Sequence, residues 1–263
     1  MTYTIAISNE KGGVAKTTTT LSLGAALAEV GQKVLLVDLD PQANLTLAVG
    51  FELNQASITS SNVLIEAAPL LSARQETEVE NLDIIPSHTN IETAEQFLPI
   101  RTNYTAILRR AIENTVTNPY HFILLDCPPF LGAITHNALG AANLLIIPTQ
   151  SEFFSAYALR NMMALIRRVR QNSNPELAYR ILITMLDRRN RTHRNIEEQL
   201  RNTFGKGLFD TVIEIDTKLR ESPIAGLPIT LYKSNSRGSL QYRILAQELL
   251  EYVNEKKEVR QKA

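Results

Sequence analysis

Residues 4–31 follow the order strand, glycine-containing loop, helix, and the three segments are directly adjacent in the sequence. The run TIAIS (4–8) is apolar, the loop NEKGGVAK (9–16) carries two adjacent glycines, and TTTTLSLGAALAEVG (17–31) has the length of a helix. A loop in this position turns backbone N–H groups and the positive end of the helix dipole towards an anion. The sequence therefore predicts a phosphate-binding loop at the carboxyl end of the first strand.

This loop departs from the usual pattern G-x-x-x-x-G-K-[ST], because Glu10 and Ala15 stand where that pattern has glycine. Lys16 still supplies a positive charge for phosphates, and Thr17 supplies a hydroxyl for Mg²⁺. Alanine in place of glycine has a small effect on stability where φ is negative and destabilises the protein where φ is positive. We therefore expect a negative φ at Ala15.

Two further strands end in carboxylates. VDLD places Asp38 and Asp40 at the end of the second strand, and LLDCPP places Asp126 at the end of another, in a segment like a Walker B motif. Mg²⁺ on nucleotide phosphates takes one or two carboxylates and keeps several waters. One carboxylate would then serve the metal and another could orient a water for hydrolysis.

Strand-like apolar runs alternate with helix-length segments along the whole chain, which predicts a mainly parallel, twisted β-sheet with helices on both faces. The other predicted strands are at 33–40, 82–87, 121–129, 143–149 and 180–186, with a short edge strand at 211–215; the other predicted helices are at 91–117, 154–171, 192–203 and 237–258. Residues 52–80 are the least regular and are expected to be a peripheral, variable segment. We predict one α/β domain over residues 1–263.

The composition argues against several classes of protein. The one cysteine, Cys127, cannot form an internal disulfide or a metal site by itself. No apolar run approaches the ~20 residues that span a bilayer, and the N-terminus is unlike a signal peptide. We expect a cytoplasmic protein.

Charge is segregated along the chain although the net charge is zero. Residues 1–159 carry 7 Lys and Arg against 15 Asp and Glu, whereas residues 160–243 carry 16 against 8. The segment DRRNRTHR (187–194) alone has four arginines. Such asymmetry indicates a nucleic acid or another acidic surface as a partner.

Several segments together resemble a known family. NEKGGVAKTTTTLSLGAALAEVGQKVLLVDLDPQANLT resembles the deviant Walker A segment of the ParA/Soj partition ATPases, within the ParA/MinD group of P-loop proteins. The resemblance continues, in order, through LLDCPPFLGAITHNAL, LLIIPTQSEFFSAYAL, ILITMLDRRNRTHR and LRESPIAGLPITLYKSNSRGSLQYRILAQEL. It runs from residue 3 to about residue 250 and is weakest across 52–80. It implies a P-loop NTPase that uses ATP and Mg²⁺.

The resemblance also implies roles for particular residues. The nucleotide would be bound by the loop and the start of its helix, namely Lys11, Gly12, Gly13, Val14, Ala15, Lys16, Thr17 and Thr18. Lys11 would be the signature lysine, which reaches the phosphates bound by the other subunit of an ATP-dependent nucleotide-sandwich homodimer. Lys16 would act in cis, Thr17 and Asp126 would hold Mg²⁺, and Asp40 would orient the attacking water. Gly12 would lie at the tight dimer contact, and the adenine near 184–186 and 222–229.

In this family a paired basic surface binds DNA non-specifically in the ATP dimer. The candidates here are Arg188, Arg189, Arg191, Arg220 and Arg237. A ParB-like activator would stimulate a weak intrinsic ATPase, and the cargo would be a plasmid, a chromosome origin or a protein assembly on the nucleoid. Because the first strand begins at residue 4, we expect no operator-specific repression.

The sequence fits three alternative functions less well. A MinD-like membrane-cycling ATPase would need a C-terminal amphipathic helix, whereas the tail ILAQELLEYVNEKKEVRQKA ends polar. An iron–sulfur reductase would need two cysteines per subunit. An ATP-dependent metabolic ligase would need a small-molecule pocket that the sequence does not identify.

Overall fold

One β-sheet organises the part of the chain that the computed structural model describes, residues 2–52, 56–115, 117–152 and 155–262. Its eight strands are β1 (Tyr3–Ile7), β2 (Val34–Asp38), β3 (Gln75–Glu76), β4 (Leu82–Ile85), β5 (Phe122–Asp126), β6 (Leu144–Gln150), β7 (Ala178–Leu186) and β8 (Leu208–Glu214). All seven predicted strands are confirmed. The two-residue β3 was not predicted.

The strand order is β3-β4-β2-β5-β1-β6-β7-β8, and all neighbours are parallel except β3 and β4. In the register of the sheet, Asp126 on β5 lies beside Ile7 on β1 and Asp38 on β2. The carboxyl ends of these three central strands therefore meet at one edge, where ligands of parallel α/β sheets bind.

Helices follow most strands. They are α1 (Lys16–Glu29), α2 (Asn44–Ala48), α3 (Ser60–Ile65), α4 (Glu92–Phe97), α5 (Ile107–Glu113), α6 (Ala133–Ala141), α7 (Ser155–Asn172), α8 (Arg191–Phe204), α9 (Lys218–Glu221), α10 (Ile229–Tyr232) and α11 (Arg237–Lys262). Phe154, at which we predicted the helix α7 to begin, lies outside the described residues.

The prediction of one helix across 91–117 is wrong. Residues 98–106 separate α4 from α5, with 3-10 turns at Leu98–Ile100 and Tyr104–Ala106. Pro99 has no N–H to continue the helical ladder, and Asn103 has a left-handed φ of 55°. Together these two residues end α4 and turn the chain before α5.

Two apolar clusters lie on opposite faces of the sheet. Leu35 and Val37 of β2 belong to one cluster and Leu36 to the other, as the two-residue period of a strand requires. One cluster is completed by α1 and α11, and the other by α3 to α8. Helices on both faces and a single α/β domain are thus confirmed.

The segment that we expected to be peripheral contributes to this core. Val63, Leu64, Leu70 and Ala73 are each at most 2% exposed and belong to one of the two clusters. The segment therefore covers one face of the sheet near β4. Within the described ranges, no helix has both the length and the apolar character needed to cross a membrane.

Candidate functional site

The loop between β1 and α1 has a backbone shaped for an anion. Gly13 has a φ of 71° and Ala15, at the N-cap of α1, has a φ of 67°. Our expectation of a negative φ at Ala15 is therefore wrong. Left-handed residues at alternate positions turn the intervening N–H groups towards one side, which forms an anion-binding concavity. The methyl group of Ala15 is thus held in a conformation that costs an L-residue roughly 1–2 kcal/mol.

Neighbouring strands fix this backbone by binding its carbonyl groups. Gln150 Nε2 donates to Gly13 O at 3.0 Å, and Thr184 Oγ1 donates to Val14 O at 3.1 Å. Asn9 Nδ2 donates to Pro148 O at 2.8 Å and so holds the start of the loop against β6. Since the carbonyls are held on the sheet side, the amides face the opposite side. There a Cβ on Gly13 would meet no atom within 4 Å.

Lys16 lies in this concavity and is only 8% exposed. Its Nζ donates to Lys11 O at 3.2 Å. Burial lowers the pKa of Lys16, although the nearby carboxylate of Asp126 opposes that shift. An amine in such surroundings gains from an anion beside it, so its environment fits a phosphate group.

Asp126 is 1% exposed and is bound by the hydroxyls at the start of α1. Thr17 Oγ1 donates to Oδ2 at 2.8 Å, and Thr20 Oγ1 donates to Oδ1 at 3.1 Å. Burial raises the pKa of Asp126 to about 8, with a further contribution from Asp38, despite the two hydroxyl bonds. A carboxylate in this position would be stabilised by a cation, and Thr17 beside it offers a second oxygen ligand.

The neighbouring acids Asp38 and Asp40 have separate surroundings. Asp38 is fully buried and accepts from Thr46 N at 2.9 Å, from Thr46 Oγ1 at 2.7 Å and from Asp40 N at 3.0 Å. Burial raises the pKa of Asp38 to about 6. Asp40 accepts from Gln42 N at 2.9 Å and borders the cavity described next. Asp38 therefore anchors α2, and Asp40, two residues beyond the end of β2, is the acid that can meet a ligand.

A cavity of about 560 Å³ opens beside the loop. It is lined by loop residues, by Asp40 and α2, and by residues from the expected adenine side: Gly12, Gly13, Ala15, Lys16, Thr17, Thr18, Leu21, Asp40, Gln42, Asn44, Leu47, Ala48, Pro129, Met185, Pro223 and Ile224. Ligand pockets span roughly 300–1,000 Å³, so a nucleotide fits this volume. Met185, Pro223 and Ile224 come from the segments that we predicted to lie near the adenine.

Lys11 does not line this cavity. Its Nζ donates to Glu152 Oε2 at 2.5 Å and to Gln150 Oε1 at 3.2 Å, and its side chain is 27% exposed. The two lysines of the loop thus have different environments: Lys16 lies inside the anion-binding concavity, and Lys11 lies outside it. The sequence did not identify Glu152 or Gln150, because they follow the loop by about 140 residues.

The predicted DNA-binding arginines lie near the carboxyl ends of β7 and β8. Glu214 holds two of them, Arg188 at 2.7 Å and Arg237 at 2.9 Å, and Arg189 pairs with Asp187 at 3.0 Å. Among the described residues, Arg191 and Arg220 have no ion-pair partner. Part of the positive charge in this half of the chain is therefore neutralised within the fold.

Helix α7 carries a second basic surface, which we did not include among the DNA candidates. Arg160, Arg167 and Arg168 are exposed, and the helix sequence contains four arginines and no acid. In the described part of the chain none of these three arginines forms an ion pair. The sequence contains this basic run, as RRVR at 167–170. Which arginines of the basic half form ion pairs, however, is seen only in the structure.

Comparison with known proteins places these features in a family. A family model described as an AAA domain matches residues 2–179. The chromosome partitioning protein ParA of Caulobacter vibrioides is 39% identical over 248 residues, which are 94% of this chain and 93% of that protein. The sporulation initiation inhibitor protein Soj of Bacillus subtilis is 39% identical over 246 residues, 93% of this chain and 97% of Soj.

A solved structure has the same fold and a nucleotide. Cobyrinic acid a,c-diamide synthase of Mycobacterium smegmatis, with bound ADP and magnesium, has a TM-score of 0.82 and 32% sequence identity and covers 97% of this chain and 96% of its own. The strand–loop–helix geometry, the buried Asp126 and two relatives that match almost end to end agree with one another. The chain therefore belongs to the ParA/Soj family of P-loop ATPases with a deviant Walker A loop.

Proposed function

We propose that this protein is an ATP-dependent positioning ATPase that dimerises with ATP, binds DNA without sequence preference and segregates or places a cargo. The observation that carries the proposal is the separation of the two loop lysines. Lys16 lies in the phosphate concavity, whereas Lys11 lies outside its own cavity and beside Glu152. A second lysine outside the cavity is what a site shared between two subunits would use.

The site has a fitting group for each requirement of ATP hydrolysis. The loop amides and Lys16 would bind the phosphates, and Thr17 with Asp126 would hold Mg²⁺, whose charge offsets that of the phosphates. Asp40 borders the same cavity and would orient the attacking water. The solved synthase of M. smegmatis, with ADP and magnesium bound, supports ATP and Mg²⁺ as the ligands.

The dimer would bring Lys11 to the phosphates of the partner subunit. For this, its ammonium must leave the contact with Glu152, which is 49% exposed and therefore weakly held. An exposed ion pair is worth about 0–1 kcal/mol, so the phosphates of a bound nucleoside triphosphate can compete with Glu152 for the Lys11 ammonium. Gly12 lies on the exposed side of the loop, where a second subunit can approach closely.

DNA binding would use the arginines that the fold leaves without an acid partner. Within the described ranges these include Arg191 and Arg220 of the predicted set and Arg160, Arg167 and Arg168 on α7. Phosphate contacts give sequence-independent affinity that falls steeply with salt. Arg188 and Arg237 would contribute less, because their shared contact with Glu214 offsets their charge.

Equilibrium binding to random-sequence duplex DNA tests this proposal, measured with ATP, ADP or no nucleotide over a series of salt concentrations. We expect strong binding with ATP alone, with an affinity that falls as salt rises. Lys11→Ala should remove the ATP-dependent binding. The double variant Arg167→Ala, Arg168→Ala should lower the slope of log affinity against log salt by the equivalent of about one to two phosphate contacts. Equal binding in all three nucleotide states would refute the ATP-dimer model.

A membrane-cycling role is the second candidate, because α11 exposes apolar side chains one turn apart. Leu240 is 49% exposed and Ile244 is 59% exposed, and Leu231 on α10 is 50% exposed. Sedimentation with anionic liposomes in the same nucleotide states separates the two roles. ATP-dependent binding to liposomes without binding to DNA would favour the second candidate.

A further inference from the structure

Glu95 on α4 caps a different helix. Its Oε2 accepts from Ala133 N at 2.6 Å and its Oε1 accepts from Ile134 N at 3.1 Å, so it binds the first two amides of α6. Gly132, the N-cap of α6, supplies no side-chain cap. The amides of a first helical turn lack partners within the helix, and a negative charge is favourable there. Glu95 thus fixes the beginning of α6 relative to α4.

Gly132 makes this contact possible. A Cβ at Gly132 would lie 2.1 Å from Glu95 Oε2 and 2.5 Å from Phe130 Cε1. Any larger residue would displace the carboxylate from the amides of α6. The capping contact of Glu95 therefore depends on the glycine at the end of the loop that precedes α6.

That loop, residues 127–132, joins α6 to Asp126. At its first end Cys127 N donates to Ile7 O at 3.1 Å, and at its second end Thr135 Oγ1 donates to Phe130 O at 2.6 Å. Pro128 and Pro129 follow in succession, and a proline ring fixes φ. Since Pro129 lines the nucleotide cavity, a short and stiff segment connects that cavity to the position that Glu95 caps.

We propose that Glu95 is a positioning residue for ATP hydrolysis, which it serves by holding residues 127–132 and so the Asp126 side of the cavity. This inference rests on the proposed ATPase function. The loop at 9–16, which also lines the cavity, is held by Gln150 and Thr184 from β6 and β7. Among the described residues Glu95 forms no hydrogen bond to either of them. Loss of Glu95 should therefore slow turnover and leave nucleotide affinity almost unchanged.

The chain offers a matched control at a residue that does not line the cavity. Glu248 on α11 also binds two successive amides, since Oε1 accepts from Asp210 N at 2.7 Å and Oε2 accepts from Thr211 N at 3.0 Å. Glu248→Gln and Glu95→Gln each replace a carboxylate that accepts two backbone bonds by an amide with one accepting oxygen. Both should lose stability, but only the second should affect the reaction.

The test compares single-turnover ATP hydrolysis, the Kd for ADP and Tm in wild type, Glu95→Gln, Gly132→Ala and Glu248→Gln. We expect Glu95→Gln and Gly132→Ala to slow turnover about tenfold, as small misplacements of a site do, while the Kd for ADP stays within about twofold. Glu248→Gln should lower Tm but keep the wild-type rate.

Two outcomes of the rate measurement would overturn the inference while the ATPase proposal stands. Either Glu95→Gln hydrolyses ATP as fast as wild type, or Glu248→Gln slows hydrolysis as much as Glu95→Gln does. A loss of ADP affinity in proportion to the rate would also overturn it, because Glu95 would then act on binding. A wild-type protein that does not hydrolyse ATP would instead refute the proposed function, and the inference with it.

Discussion

Ala15→Gly should stabilise the protein, although it introduces a more flexible residue. Ala15 has a φ of 67° and a ψ of 36°. This left-handed conformation costs an L-residue roughly 1–2 kcal/mol, which glycine does not pay. Glycine adds about 0.4–1 kcal/mol of conformational entropy to the unfolded chain. The net gain is then about 0.5–1 kcal/mol, or a rise in Tm of about 1–4 °C for a chain of this size.

Packing should change this figure little, because Ala15 borders two cavities and belongs to neither apolar cluster. Nucleotide affinity should also change by less than about threefold, because a mutation alters affinity only through a difference between the free and bound states. The left-handed backbone at Ala15 is held by bonds within the protein, from Gln150 to Gly13 and from Thr184 to Val14, so we expect it with and without a nucleotide. Thermal unfolding and ADP titration of the same preparations measure the two effects.

Two other alanines serve as controls. Ala67 is exposed, far from the loop, and has a φ of 56°, so Ala67→Gly should raise Tm by a similar amount. Ala164 is exposed within the right-handed helix α7, so Ala164→Gly should lower stability by about 1 kcal/mol. If Ala15→Gly lowered Tm as Ala164→Gly does, the strain argument at the loop would be refuted.

The remaining predictions concern the three groups assigned to binding and hydrolysis. Lys16→Ala should weaken ADP binding by at least about 100-fold, because the buried, charge-assisted contact between its ammonium and the phosphates is lost. Titration with a fluorescent ADP analogue measures this affinity. A wild-type affinity would show that Lys16 does not bind the phosphates. Lys11→Ala should keep ADP affinity within about threefold but abolish ATP-dependent dimerisation in analytical ultracentrifugation, and an ATP dimer of normal stability would end the trans assignment. Asp40→Ala should keep ATP binding and slow hydrolysis at least about 100-fold, so that the ATP dimer persists on DNA; unchanged phosphate release would show that another group orients the water.

Much of the fold could be predicted because parallel strands are buried on both faces. Val34–Asp38 and Phe122–Asp126 are buried at every position, and such strands appear in the sequence as continuous apolar runs. The broken helix at 91–117 could also have been predicted, since Pro99 and Asn103 are local signals. The apolar period across 91–117 indicates one helix only if these two interruptions are ignored.

The backbone of Ala15 could not be predicted in the same way. Its conformation is imposed by bonds from Gln150 to Gly13 and from Thr184 to Val14, which join residues 137 and 170 positions apart. Local preference favours a negative φ for alanine, and tertiary contacts override it. The partners of the arginines pose the same problem, because Arg188 meets Glu214 only through the pairing of β7 with β8.

The three acids at the central strand ends differ in how hydrogen bonds hold their carboxylates. Asp38 has both oxygens bound, one by Asp40 N and the other twice by Thr46, so its carboxylate is committed to the fold. Asp126 is bound by hydroxyls of Thr17 and Thr20, which can turn or exchange when a cation arrives. Asp40 is held through one oxygen by Gln42 N and borders the cavity. This arrangement commits Asp38 to the fold and leaves Asp126 and Asp40 for the metal and water roles that we propose. The register of the sheet places Asp38 beside Asp126.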